Sequence, residues 1–282
     1  MTDLGLAALP PPASVGPTGH GARRALQVGG ALLRASLLIG LQYRAGFLLD
    51  AVSGVLRTAA RIAPIGLVFQ HHSAVAGWSM ADMTMVMALF LLMQAFLQGF
   101  IQPNLGAVVD DVRTGSFDLV LLRPADSQLL VSVRTVDPSQ VWDLVAALVV
   151  GAAAIYQQPP ANALDVLVAL GMLVAGMVSL YGLWLFAICL AFLVFRIDNL
   201  RYLLHSMTDA ARWPVEVYGG WVRWLFTVAL PIGVFTSFPA MALRGRWDLE
   251  LILTAAGVAL LFGWGSRRAW LASLERYTSA SS

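Results

Sequence analysis

From about residue 46 onward the chain is a series of long apolar runs broken by short clusters of Arg, Asp, Pro and Gly. A transmembrane helix needs about 20 mainly apolar residues. Six stretches qualify: 46–70, 84–102, 141–157, 163–195, 218–240 and 250–268. The expected fold class is all-α, a polytopic membrane protein with about six transmembrane helices. Pro231 and Pro239 should kink or end the fifth, because each removes a backbone donor. In the fourth, Gly171, Ala175 and Ser179 recur every four residues, a spacing that lets helix backbones approach closely in lipid.

Before the first span, Leu26, Leu33, Leu37 and Leu41 fall near one face of a helix, with Arg23, Gln27 and Arg34 beside them. Residues 22–45 therefore read as an amphipathic interfacial helix. Residues 1–21, with Pro10-Pro11-Pro12 and no unbroken apolar stretch of the signal-peptide kind, read as a disordered cytoplasmic tail. The expected organisation is completed by a six-span domain over 46–270, which includes a cytoplasmic loop at 103–140, and by a cytoplasmic C-terminal tail at 271–282.

Arginine placement orients the spans. Arg23, Arg24, Arg34 and Arg44 precede the first. Arg113, Arg123 and Arg134 lie between the second and third, Arg196, Arg201 and Arg212 between the fourth and fifth, and Arg267, Arg268 and Arg276 after the sixth. The opposite loops carry only Arg244 and Arg246. By the positive-inside rule both termini are expected in the cytoplasm.

Composition agrees and removes some chemistry. Of 282 residues 59% are hydrophobic and 12% charged, against about a quarter charged in soluble domains. The net charge of +2 is explained by arginines at membrane edges and does not point to nucleic acid. The single cysteine, Cys189, rules out an internal disulfide. Every basic residue is arginine, so the chain has no P-loop lysine and no Schiff-base lysine; ATP, if used, must bind another subunit. His71-His72 sits in a predicted outer loop with no third ligand nearby, so a solvated turn is expected there and no metal site.

The loop after the second span holds the most informative pattern. Asn104 is placed to cap a helix. Leu105, Val108, Val109 and Val112 follow on one face, with Asp110, Asp111 and Arg113 mostly on the other, and Gly115 is placed to end it. An apolar run closed by a turn at Pro124 comes next. Such a helix either docks on a partner or lies on the bilayer.

Asp50, Gly54, Arg57 and Arg61 form a polar stripe on the first span. Arg57 stands roughly 20 Å beyond Arg44, where a charge costs about 2.5 kcal/mol or more unless paired or hydrated. Pairing of Arg57 with Asp50, or of an arginine with a partner subunit, is favoured over a place on a transport path meeting an anionic head group. Glu216 reads as an interfacial or capping carboxylate, and His205 with Asp209 as a surface pair on a cytoplasmic helix.

The run Val112-Arg113-Thr114-Gly115-Ser116-Phe117-Asp118, then Leu121-Leu122-Arg123-Pro124, resembles a motif of ABC-2 family permeases, the membrane subunits of type-2 ATP-binding-cassette exporters. Pro214, Val217-Tyr218, Trp221-Val222-Arg223, Leu230-Pro231 and Phe238-Pro239-Ala240 resemble that family's fifth-span region. Tyr277-Thr278-Ser279-Ala280-Ser281 resembles its C-terminal signature. The resemblance implies a permease subunit of an ATP-driven exporter in the inner membrane of a bacterium. This chain would bind no cofactor, and ATP and Mg would be held by two cytoplasmic ATPase subunits. A second related permease is implied as partner, as a heterodimer or else a homodimer. The coupling surface would comprise Leu105, Val108, Val109, Val112, Arg113, Gly115, Asp118, Arg123 and Pro124. The family also has re-entrant structure before the last span, for which 238–250 is short. The competing readings are a solitary ion-coupled carrier, which should show internal repeats, and a membrane-embedded lipid-modifying enzyme, which should show clustered acids. Neither pattern is found.

Overall fold

The computed structural model describes residues 44–123, 126–193, 206–275 and 277. The expected tail at 1–21, almost all of the interfacial helix at 22–45, Pro124, Arg196, Arg201, His205 and the last residues of the C-terminal signature lie outside the described residues. Among the described residues there is no strand, only an isolated bridge between Val75 and Trp78.

Five helices are long and apolar enough to cross a membrane: Leu48–Phe69, Met80–Thr114, Pro138–Gln157, Ala163–Leu190 and Leu249–Glu275. The first is α1 (Arg44–Phe69). The second starts at a capping box, in which the Ser79 hydroxyl accepts from the Asp82 N–H and the Asp82 carboxylate accepts from the Ser79 N–H, satisfying two donors the first turn would otherwise leave free. It runs as α2 (Met80–Phe96) through a π-turn at Leu97–Ile101 into α3 (Gln102–Thr114). The cytoplasmic helix expected near 104–114 is thus the end of the second span itself, and Asn104 lies inside it, not at its cap.

Two short helices, α4 (Asp118–Leu121) and α5 (Ser127–Ser132), lead to α6 (Val141–Gln157) and α7 (Ala163–Leu193). The last span is α11 (Leu249–Glu275). α2 forms the centre: Met83, Val86, Phe90, Leu91 and Met93 are fully buried, with α6 on one flank and the short helices α9 (Ile232–Phe235) and α10 (Ser237–Leu243) on another. α7 packs along α11 by way of Gly182, where an added Cβ would lie 2.6 Å from the Phe262 carbonyl oxygen. Gly176 meets the Phe235 backbone in the same way. The expected stripe of Gly171, Ala175 and Ser179 is only partly used: Ser179 is buried, while Gly171 is exposed with nothing near it.

The fifth span differs from expectation. Helix α8 (Gly220–Trp224), continued by a π-turn at Leu225–Ala229, meets Ile232–Leu243 at a bend of 71°. Pro231 sits at the bend and has no N–H with which to continue the helix. Both ends of this bent pair lie on one side. At its far end Arg244 reaches the Ala81 and Gln158 carbonyls. Just before its start the Glu216 carboxylate lies beside the Trp78 indole. Trp78 and Ala81 flank the first turn of α2, so the pair dips in and returns. It is re-entrant structure, earlier in the chain than 238–250.

The described stretch before it is 206–217. Asp209 faces Gln94, Arg212 lies over the Phe90 ring and Glu216 is level with Trp78, so these residues climb beside α2 towards its start. Asp209 and Arg212 therefore stand beside the middle of α2, partly exposed, and not beyond the end of the spans. The rule that set the segment's side counts charges and cannot see a charge held by a neighbouring span.

Candidate functional site: an ionic cluster between the spans and a braced tip

Two groups of polar residues stand out, joined by the continuous helix Met80–Thr114. The first lies at the level of Phe90, about 15 Å along α2 from Met80. Asp143, in the first turn of α6, is fully buried and faces both span-one arginines: Arg57 Nη2 at 3.2 Å and Arg61 Nη1 at 3.6 Å. The pairing expected for Arg57 was with Asp50, or for an arginine with a partner subunit; among the described residues no ion pair joins Arg57 to Asp50, and Asp143 faces it instead. Gly54 makes room for this, since a Cβ there would touch Trp142 at 3.1 Å and the Asp143 carboxylate at 3.7 Å.

Two guanidiniums cover the Phe90 ring, with Arg61 Cζ 5.6 Å and Arg212 Cζ 6.0 Å from its centroid. Such stacking contributes about 0.5–2 kcal/mol depending on desolvation. Arg212 pairs with Asp209 at 3.4 Å, and Gln94 donates to Asp209 at 3.5 Å and accepts from Gln98 at 3.0 Å. Sequence reasoning found Arg57 and Arg61 and missed Asp143, Gln94, Asp209 and Arg212. Asp143 carried a usable signal, as a lone carboxylate at the head of an apolar run.

The second group is the tip formed by α3, α4 and α5, at the opposite end of the bundle from Trp78. Asn104 is buried and makes four hydrogen bonds: its amide donates to the Phe100 and Thr135 carbonyls, both at 2.7 Å, and its carbonyl accepts from the Arg134 and Thr135 N–H groups at 2.7 and 2.9 Å. All the bonding capacity of the side chain is used, pinning the 133–137 loop to α3. Asp111 adds an ion pair with Arg134 and accepts from the Ser116 hydroxyl.

Gly115 ends α3 at φ 76°, the left-handed conformation that glycine adopts without penalty. The turn drives Phe117 into the interior, edge-on to Trp270 of α11 at 6.0 Å and to Tyr277 at 5.4 Å. Trp270 Nε1 donates to the Ser127 hydroxyl at 3.2 Å, and Arg267 holds Asp126 and Gln128.

The expected apolar docking face divides. Leu105 and Val108 are fully buried in the chain's own core, and Val109 and Val112 are partly buried against it. Left outside are the ion pair of Asp110 with Arg113, at 3.3 Å, together with Arg123 and the apolar side chains of Leu119 and Leu122, exposed by 65% and 79%. Asp118 is half-buried at the start of α4. On the other side of the bundle, His71 and His72 are exposed, and no metal-binding cluster is present among the described residues.

A family model described as ABC-2 family transporter protein matches residues 55–281. The chain belongs to that family. No curated protein and no solved structure matches it. An ABC-2 permease is a multi-pass membrane component of an ABC transporter, works with ABC ATPases and is not itself catalytic. The matched region takes in both the tip and the ionic cluster.

Proposed function

We propose that this ABC-2 protein is the permease subunit of an ATP-driven exporter of amphiphilic compounds, and that its tip couples it to a separate ATPase. One observation carries the reading. A braced tip presents Leu119 and Leu122 to solvent, as well as the Asp110–Arg113 pair, at the end of a helix that runs through one π-turn to the Phe90 level. Exposed apolar side chains rimmed by charge are the composition of a docking surface. The brace means that a push on the tip moves the helix as a body, and the other end of that helix carries Phe90 and Gln94 of the ionic cluster.

In this reading two ATPase copies hold ATP and Mg and close against the tips of two permeases, this chain and a second related permease or a second copy of itself. ATP favours one of two discrete arrangements of the spans, as a driven switch requires. The arginine-rich side, with both termini, faces the cytoplasm of a bacterial cell across its inner membrane. The coupling role passes from the buried face of α3 to the exposed residues Asp110, Arg113, Leu119, Leu122 and Arg123.

Affinity purification of the tagged chain in mild detergent tests this. Wild type should recover a P-loop ATPase, and the double variant Leu119→Asp, Leu122→Asp should lose it while melting within about 2 °C of wild type. Retention of the ATPase by a stable double variant excludes this surface, and recovery of the wild-type chain alone excludes the ATP-driven reading.

A further inference from the structure

The geometry points to an oxyanion-binding site in the middle of the membrane, formed by Arg57, Arg61 and Arg212, which takes the phosphate or carboxylate group of an anionic amphiphile. Its place as a substrate site rests on the exporter reading; the binding itself does not.

The charges at the Phe90 level do not balance. Three guanidiniums, those of Arg57, Arg61 and Arg212, face two carboxylates, those of Asp143 and Asp209, among the described residues. Both carboxylates are already engaged, Asp143 by two arginines and Asp209 by Arg212 and Gln94. Among the described residues one positive charge is left over, in a layer where an unbalanced arginine is costly.

Burial shows where the excess is displayed. Asp143 is sealed, while Arg57 is 43% and Arg212 32% exposed at their side chains. Arg61 is the least exposed of the three, 18% at its side chain, with Nη1 turned to the sealed Asp143 carboxylate at 3.6 Å, so Arg57 and Arg212 carry the accessible part of the charge. The guanidinium fork matches the two oxygens of a phosphate or carboxylate, so a negative group offsets the excess charge. A neutral or cationic head group does not. The tail has apolar company nearby, since Val52, Val55 and Leu56 on the same helix are all more than half exposed.

Titration of the purified full-length chain in a neutral detergent, with no ATPase present, tests the site. The probes are short-chain phosphatidate, short-chain phosphatidylcholine and inorganic phosphate. Phosphatidate should bind at least tenfold more tightly than phosphatidylcholine. Arg57→Gln and Arg212→Gln should each weaken it fivefold or more, and Arg57→Lys less. Asp209→Asn, which removes a competing negative charge, should strengthen it severalfold; a damaged fold cannot mimic a gain. Inorganic phosphate competing as well as phosphatidate would keep the oxyanion site and overturn the amphiphile. Equal affinity for the two lipids, or no response to Arg57→Gln and Asp209→Asn together, overturns the site. Because the ATPase is absent, failure here leaves the coupling surface untouched, and failure of the coupling test leaves this site untouched.

Discussion

Asp82 and Asp126 each face an arginine from a distant part of the chain, and burial separates their consequences. Asp82 is 3% exposed, with Arg244 Nε at 2.7 Å and Arg246 Nη2 at 3.7 Å, and it also closes the capping box of α2. These contacts bear on why Arg244 and Arg246 break the charge pattern of the loops: both face Asp82, whose one carboxylate balances the buried Arg244, while Arg246 is half exposed. Removing one member of a buried pair strands the other, at about 3–5 kcal/mol. Asp82→Ala should therefore lower the melting temperature sharply. The double variant Asp82→Ala, Arg244→Met should recover more than half of that loss in a double-mutant cycle. Additive losses would show that the two residues act independently. Asp126 is 41% exposed beside Arg267. Partial burial pushes its carboxyl up, but the hydrogen bonds from Arg267 and the Leu129 N–H outweigh this and leave it below the ordinary carboxylate value of 3.8. A depressed value means stability present above pH 3.8 and lost as the pH falls through the lower, folded value. Solvent screening keeps the contribution under about 1 kcal/mol. Asp126→Asn should change the melting temperature little at pH 7, and wild type and variant should converge below pH 4.

At the scale of elements, the apolar spans were legible because lipid demands length and composition, which a single chain displays openly. Close approach was not. A four-residue stripe beginning at Gly171 looked like the packing face of the fourth span, yet the backbones that touch α7 do so at Gly176 and Gly182. Which side of a helix is used depends on where Phe235 and Phe262 arrive, and nothing local to α7 encodes that. Gly182→Ala should separate α7 from α11 and cost about 1–3 kcal/mol by overpacking. Gly171→Ala, with open space around it, should be neutral or gain up to about 1 kcal/mol from helix propensity. A similar melting temperature for the two variants would put the α7–α11 contact in doubt. The same limit explains the tip. The spacing of Leu105, Val108, Val109 and Val112 correctly marks an apolar face and Gly115 a helix end, but periodicity cannot say whether the face turns to a partner or to the chain's own core.

For the whole molecule, the arginine count and the apolar runs agree on how many times the chain crosses, and the difficulty lies in which residues do the crossing around the fifth span. The stretch 218–240 is the more apolar and was chosen for that reason. The structure instead brings a charged stretch, with Asp209 and Arg212, up beside α2, because Gln94, Phe90 and Arg61 supply the partners that lipid lacks. It turns the apolar stretch into a re-entrant pair at Pro231. Hydropathy ranks segments by what they would meet if exposed to lipid, so a crossing lined by neighbouring spans is undervalued and a re-entrant pair overvalued. The two arrangements differ in one checkable respect. Gly219 and Glu250, both exposed, lie on the same side of the membrane if 220–243 dips and returns, and on opposite sides if it crosses. Single cysteines at these positions and at Asp110, in a Cys189→Ser background, can be treated on intact cells with a membrane-impermeant maleimide. Labelling at 219 and 250 together, with 110 protected until the membrane is opened, is the expected result. Protection of 219 along with 110 would return the fifth crossing to the apolar stretch. It would also remove Arg212 and Asp209 together from the ionic cluster, leaving Arg57 and Arg61 against Asp143 with the same excess of one positive charge.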